Sequence, residues 1–543
     1  MKRDKSIQPQ LFLFAAAFLW FCLWCILTYV MPAFPVDETR YLTVAWEMRQ
    51  SGNWLLPTLN GAPYSHKPPL LMWLVNLAWS ATGGPQIWSA RIVALAASLG
   101  TFFLTFDLAR RLFPDQPRIR IAAPLLLMSW PFFMLYGNLI MFDFMLAAST
   151  LASLAAAWEA YKTRAFKPWI YFGLAMGFGV LAKGPVVLVD ILLPVILFPA
   201  LCRKEKNFPS LRFWYGGVLA GVLIATAMGL AWAIPAAITG GPEFAHMIFW
   251  EQSVGRIGKH AFAHRREWWF YLIILPPFVL PLLFWPLFWR TVMSARTLPR
   301  SPALLFLLSW IVPVFLIFTL MGSKQPHYLI PLLPGLAILI ALMLEHAIGK
   351  KPMVRTWQGL LSLLPYGMAF AFMLVAPHIP ASARKDNLIV HEILNSFTVF
   401  WPLAGLILTA AIFFVLGRFM HDRALAQIMA MICALNLFMS TLAVQMHPRV
   451  FDLFDLRPLA ETLQPYKDKP LAVIPKYAGE IGFLARLDHP VDVLERPGLD
   501  PWLKAHPDGH VIVRYRPHEE PSGHKILFTQ PYQADQLYSL IGQ

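Results

Sequence analysis

Residues 11–31, LFLFAAAFLWFCLWCILTYVM, carry no charge, and the chain then passes within a few residues to Pro35-Val36-Asp37-Glu38-Thr39-Arg40-Tyr41. A bilayer core takes about 20 apolar residues per helix, so the first stretch reads as a membrane span. The second reads as an acidic motif at the membrane edge. Lys2, Arg3 and Lys5 precede the span. The apolar run is too long for the h-region of a signal peptide and no small-x-small cleavage site follows, so an uncleaved anchor is expected.

Working outward, the same pattern recurs. Of 543 residues, 57% are apolar and 14% charged, where soluble chains run near a quarter charged; mean hydropathy is +0.55. That excludes a soluble enzyme, a disordered chain and a disulfide-stapled domain. Apolar runs predict thirteen spans, near 11–31, 87–109, 120–136, 139–160, 168–182, 184–201, 213–238, 268–289, 302–321, 327–348, 357–377, 399–417 and 424–446. The fold class expected is an all-α polytopic membrane protein, with a membrane domain over 1–446. The last polar stretch, 447–543, has strand-like runs at 471–475, 510–515 and 525–529 and reads as a small α/β domain.

The net charge of +15 suits loops on the cytoplasmic side better than nucleic acid. Arg110, Arg111, Arg118, Arg120, Lys162, Arg203, Lys204, Lys350, Lys351 and Arg418 fall in alternate loops, as the positive-inside bias requires. With the N-terminus inside, thirteen spans put the C-terminal domain outside. The four cysteines lie in or beside spans and make no redox framework.

Outer segments 32–86 and 239–267 hold the candidate chemistry. On a helix over 37–49, Asp37, Arg40 and Tyr41 share one face, with Glu38 to its side; Asp37 either caps that helix or belongs to a site, and the local sequence does not decide between them. Lys67 is fixed by the following Pro68-Pro69 step, facing a lipid phosphate or snorkelling. Asp143, among Met and Phe near the outer end of a span, needs a partner, structural or functional. Lys183, a cation on the outer side, points to a partner such as Asp143 or a phosphate. Arg256, Arg265 and Arg266 make a basic outer loop with no anionic inner leaflet to explain it. Lys324 and Tyr328 open the tenth span as phosphate or hydroxyl partners. His260 and His264, spaced i, i+4, are weak metal candidates on their own.

Together these residues resemble the GT-C membrane glycosyltransferases that use polyprenyl-phosphate sugars, and most nearly the bacterial aminoarabinose lipid A transferases; the protein O-mannosyltransferases are more distant kin. The resemblance rests on Asp37 to Tyr41, Glu47-Met48, Ser51 to Trp54, Leu59-Asn60-Gly61, Lys67 to Leu70, Phe142-Asp143 and Lys324 to Pro331, and covers about residues 1–350. It implies thirteen spans and a periplasmic α/β domain. It makes Asp37 the leading catalytic carboxylate, with Arg40 and Glu38 beside it and Asp143 as the second acid of the site. It gives the donor phosphate to Lys67, Arg256, Arg265 and Arg266, joined by Lys183, Lys324 and Tyr328. The chain departs from the family at His66, where an acid usually precedes Lys-Pro-Pro. His66, His260 and His264 would then make a three-histidine zinc site, structural rather than required by the reaction.

The function implied is transfer of a sugar from undecaprenyl phosphate, with inversion, to lipid A or another lipid-linked periplasmic acceptor, in the bacterial inner membrane. A protein acceptor is the alternative. A nucleotide-sugar donor is disfavoured because such donors lie in the cytoplasm. A lipid or small-molecule transporter would place its polar residues near the midplane and often shows inverted repeats; here the charges gather at the outer edge and no repeat is evident.

Overall fold

A computed structural model describes residues 10–202, 205, 208–250, 266–350, 354–379, 388–420, 422–447, 449–521, 523–533 and 535–542. Among these, seven helices are long and apolar enough to cross a membrane: Leu11–Val30, Ile87–Leu112, Leu211–Trp250, Pro302–Leu320, Pro326–Lys350, Phe400–Arg418 and Arg423–Met446. The pair Thr356–Ser362 and Leu364–His378, bent by 44°, makes an eighth if taken as one span.

Of the remaining apolar runs, the one at 139–160 is the unbroken helix Asp143–Thr163 of 21 residues, which carries Asp143, Glu159 and Lys162; others are shorter or are broken by proline. The run at 120–136 splits into helices Pro117–Met128 and Pro131–Tyr136. The run at 268–289 becomes helix Phe270–Phe278, a 3-10 turn at Leu282–Phe284 and helix Pro286–Ser294, because Pro276, Pro277, Pro281 and Pro286 remove backbone donors within it. The seventh run extends past its expected end: its helix continues to His246 through a break at Gly241, where φ is 81° and Pro242 follows. Part of the expected outer loop 239–267 is therefore helical.

Small residues bring helices together, as expected where apolar burial gives no drive against lipid. A Cβ on Gly173 would stand 2.8 Å from the Gly221 carbonyl oxygen, and one on Gly177 would clash with Met228 Sδ.

Segment 32–86, expected on the outer side, holds helix Asp37–Ser51, a two-stranded ribbon of β1 (Thr58–Leu59) and β2 (Ala62–Pro63), and helix Leu70–Ala81. Asn60 and Gly61 form the ribbon turn at φ 57° and 73°, the positive values that a two-residue hairpin turn requires. The C-terminal segment carries a five-stranded sheet of β3 (Leu471–Ile474), β4 (Asp492–Val493), β5 (His510–Tyr515), β6 (Lys525–Tyr532) and β7 (Gln536–Gly542). Its order is β4-β3-β5-β7-β6, with β3 parallel to β4 and β5, and β7 antiparallel to β5 and β6.

This sheet unit docks on helix Asp37–Ser51. Thr43 Oγ1 donates to the Gly479 carbonyl at 2.8 Å and accepts from the Phe483 amide at 3.0 Å. The Trp46 indole N–H donates to the Leu487 carbonyl at 2.7 Å. Asn60 exchanges two hydrogen bonds with the Val491 backbone at 2.9 and 2.8 Å. Phe483 stacks on Trp79 at 5.2 Å between ring centroids. Segment 32–86 is thus held between its flanking helices and the sheet unit.

Candidate active site

Glu38 and Asp37 are adjacent in sequence but lead opposite lives. Glu38 is 2% exposed and faces Arg91, which is fully buried on helix Ile87–Leu112. Arg91 Nη2 donates to Glu38 Oε2 at 3.0 Å and Nε to Oε1 at 3.4 Å. The Phe34 and Ile140 amides each donate to the same carboxylate at 3.0 Å. Arg91 also donates to the Met31 and Pro32 carbonyls, at 2.9 and 2.7 Å. Both Glu38 oxygens are consumed in a clamp that ties the end of the first span to residues 91 and 140. Glu38, expected beside Asp37 in the chemistry, thus has both oxygens engaged by protein groups.

Asp37 opens helix Asp37–Ser51 but does not cap it; the cap position is Val36, and no side-chain cap bond is present. Its carboxylate side chain is 55% exposed, with Arg40 Nη1 at 3.7 Å. Arg40 is held in turn, its Nε donating to the Ala478 carbonyl at 3.3 Å. The clamp next door therefore orients a neighbour that keeps its own carboxylate available.

Asp143 is the first residue of helix Asp143–Thr163, and Lys183 is the last of helix Lys167–Lys183. Each charge sits at the helix end whose dipole favours it. Their side chains, 2% and 10% exposed, pair at 2.5 Å. Lys183 also lies over the Tyr328 ring, 4.9 Å from its centroid. The expected Asp143–Lys183 pairing is thus present.

His327 lies near both acids. It stands within electrostatic range of Asp143, Lys183, Asp37 and Lys67, and its ring packs edge-on to Tyr328 at 4.9 Å. Tyr136 lies within range of both Asp143 and Asp37. Tyr41, between Asp37 and Phe142, keeps its phenol protonated well above the ordinary range, first through burial and then through the Asp37 charge. Lys67 Nζ stands 5.9 Å from the Phe142 ring centroid and within range of Asp143. Asp37, Arg40, Lys67, Asp143, Lys183, His327 and Tyr328 therefore form one cluster at one end of the helices.

Lys324 does not join it through its charge. Its ammonium, on a residue 2% exposed, donates to the Arg266 carbonyl at 3.0 Å and to the Met321 carbonyl. Burial lowers its pKa. Lys324 is thus spent in locking the loop after helix Pro302–Leu320 to residue 266, where the Arg266 amide also donates to Gly322 at 3.2 Å. The cation expected to meet a phosphate is therefore engaged by backbone carbonyls here. The Arg266 side chain is exposed and lies 4.5 Å from the Phe270 ring centroid. Tyr271, one residue on, is within range of Arg266, Tyr328 and Asp143.

Arg256, Arg265, His260 and His264 lie outside the described residues. His66 is exposed and stacks on Tyr64 at 5.2 Å. Among the described residues, no group of three or more His, Cys, Asp or Glu could hold a metal.

The sequence reading missed His327 and Arg91. Arg91 carried a signal: an arginine inside an apolar run needs an acid. His327 had only its neighbours Lys324 and Tyr328 to recommend it.

Three cations, Lys67, Lys183 and Arg266, stand in or beside this cluster, and Asp37 keeps an exposed carboxylate. A family model described as dolichyl-phosphate-mannose-protein mannosyltransferase matches residues 66–232. Two undecaprenyl phosphate-alpha-4-amino-4-deoxy-L-arabinose arabinosyl transferases of Pseudomonas fluorescens strains are each 30% identical. One match covers 60% of this chain and 59% of the relative, the other 69% and 66%. The matched region thus spans about three fifths of the length of these curated relatives. ArnT from Cupriavidus metallidurans, solved bound to undecaprenyl phosphate, superposes with a TM-score of 0.75 at 19% identity over 97% of both chains. The chain has the ArnT fold. It resembles these arabinosyl transferases in sequence as well. A more distant likeness is the archaeal oligosaccharyltransferase AglB from Archaeoglobus fulgidus, at a TM-score of 0.51 and 12% identity over 93% of this chain and 69% of that one.

Proposed function

We propose that this protein is an inverting membrane glycosyltransferase that moves a sugar from undecaprenyl phosphate to an acceptor on the outer side, with lipid A as the acceptor class. The observation that carries the reading is Asp37: an exposed carboxylate whose one ion-pair partner among the described residues is Arg40 at 3.7 Å, in the same cluster as a buried Asp143–Lys183 pair and Lys67.

The leaving group is a phosphate dianion. Lys67, Lys183 and Arg266 lower the cost of its departure by charge-assisted hydrogen bonds. Attack from the opposite side of the anomeric carbon inverts it. An acceptor hydroxyl would pass its proton to Asp37 as general base. An acceptor phosphate is already ionised, and Asp37 then stabilises the positive charge that builds on the sugar. Asp143 holds Lys183 against the departing phosphate.

The reading includes thirteen membrane crossings, the N-terminus in the cytoplasm and the sheet unit outside. Docking of that unit on the segment after the first span supports this placement. It also includes a zinc held by His66, His260 and His264, tested by metal analysis of the purified protein and its His66→Ala variant. The mannosyltransferase family model favours a second reading, a protein acceptor.

The test is Asp37→Asn in purified protein. Expression and melting should match wild type while transfer from the lipid-linked donor is lost. Wild-type turnover would remove the assignment.

A further inference from the structure

Helix Asp37–Ser51 carries a second site at its far end. A cavity of about 350 Å³ opens between this helix, the β1–β2 ribbon and the sheet unit, lined among others by Trp46, Glu47, Gln50, Tyr477, Asp488 and His489. That volume lies in the range of small-ligand clefts. At about 1.5 Å of rise per residue, Trp46 and Gln50 stand roughly 9 and 15 Å along the helix from Arg40. Arg40, Thr43, Glu47 and Gln50 follow one another at helical spacing, so a single stripe joins the catalytic cluster to the cavity.

The walls are rigid. Glu47 accepts from the Asn60 and Gly61 amides at 2.7 and 3.1 Å. The Trp46 ring is pinned through its N–H to Leu487. Asn60 is tied to Val491, and a Cβ on Gly61 would stand 2.7 Å from Pro490 Cγ. The His489 ring nitrogens face the Pro490 and Lys467 carbonyls. By contrast, Gln50 and Asp488 are exposed at the mouth, and among the described residues neither side chain makes a hydrogen bond or ion pair.

The chemistry selects a ligand class. Two carboxylates and no lysine or arginine line the cavity, so it does not suit a phosphate. Arg486 stands over Trp46, its Cζ 5.2 Å from the ring centroid and its guanidinium spent on the Phe483 and Pro85 carbonyls; the Trp46 and Tyr477 surfaces that line the cavity, beside hydroxyl, amide and carboxylate groups, suit a hydroxyl-rich ring, and the acids favour an amino group on it. We propose that this cavity is a saccharide subsite that takes the glycan portion of the acceptor, neutral or amino-bearing. The inference rests on the transferase reading for what the glycan belongs to, but not for the binding itself. Phosphates go to the cationic cluster at one end of the helix, and sugar rings go to the acidic cavity at the other.

The experiment uses full-length protein in detergent and three soluble probes: maltotriose, a glucosamine trisaccharide and inorganic phosphate. Saturation-transfer NMR should detect both saccharides in the cavity, the amino-bearing one more tightly, and phosphate should not compete with either. The exposed substitutions Gln50→Ala and Asp488→Lys should weaken the glucosamine trisaccharide by about tenfold, the scale of one hydrogen bond to a charged group, and leave undecaprenyl phosphate binding unchanged. With lipid acceptors, Asp488→Lys should raise KM about tenfold for a glycan-bearing acceptor and leave a glycan-free one unchanged, with kcat within about twofold of wild type for both. Saccharides that fail to bind wild type, or that bind Asp488→Lys equally well, overturn the proposal. A protein that binds the saccharides through Gln50 and Asp488 but transfers no sugar would leave the subsite standing and remove the transferase reading.

Discussion

Replacing Glu38 with glutamine separates a structural acid from a catalytic one. In the wild type its carboxylate holds the fully buried Arg91 through two contacts, at 3.0 and 3.4 Å, and accepts two backbone amides, from Phe34 and Ile140. Glutamine keeps one acceptor oxygen and turns an N–H₂ group toward a donor. Arg91 keeps its bonds to the Met31 and Pro32 carbonyls but loses its counter-charge. Breaking one partner of a buried ion pair costs about 3–5 kcal/mol, and an orphaned buried amide adds about 1–3 kcal/mol. The pair term alone shifts the folded population by more than about a hundredfold. Glu38→Gln should therefore lower the melting temperature in detergent markedly and reduce yield. Arg91→Met should do the same, and the double variant should recover part of the loss, since no unpaired charge remains. A Glu38→Gln protein that melts like wild type yet transfers no sugar would refute the clamp and return Glu38 to the chemistry.

Other expectations follow from the same geometry. Lys183→Met leaves Asp143 buried without its 2.5 Å partner, so both transfer and thermal stability should fall, whereas Asp37→Asn should lose transfer alone. Lys67→Glu should weaken undecaprenyl phosphate binding, read by a labelled-lipid competition assay, and leave acceptor binding unchanged. His510 stacks on Tyr466 at 3.9 Å between ring centroids, and burial and then Lys469 hold its pKa below the ordinary 6.5. The unfolded chain then binds the extra proton first, so stability of the sheet unit should fall as pH drops through about 6.5 and level off below the folded pKa. His510→Phe should flatten that melting profile.

Much of the fold and part of the site could be read from residue types alone. The run at 11–31 announces a span because bilayer thickness fixes its length. Strands β3, β5 and β6 fall on the strand-like runs at 471, 510 and 525. Lys183 was legible as a partner of Asp143 because it is a cation on the outer side. The clamp was not: Arg91 stands 53 residues from Glu38, and adjacency to Asp37 drew Glu38 toward the chemistry. Lys324 could not be read, because backbone carbonyls accept its charge and leave no mark in the sequence. The broken run at 268–289 was hidden by its apolarity, although its prolines signalled the interruption. The 350 Å³ cavity arises from segments more than 400 residues apart and has no local pattern.

The central claim is tested most directly by one reconstitution. Purified protein in lipid is given an undecaprenyl-phosphate-linked aminopentose, with lipid A and a serine-containing peptide present together, and the products are read by mass spectrometry. The account predicts sugar on lipid A, none on the peptide, and none anywhere with Asp37→Asn. Sugar on the peptide alone would move the acceptor to protein and leave the site intact. Transfer by Asp37→Asn at the wild-type rate would contradict the account at its centre.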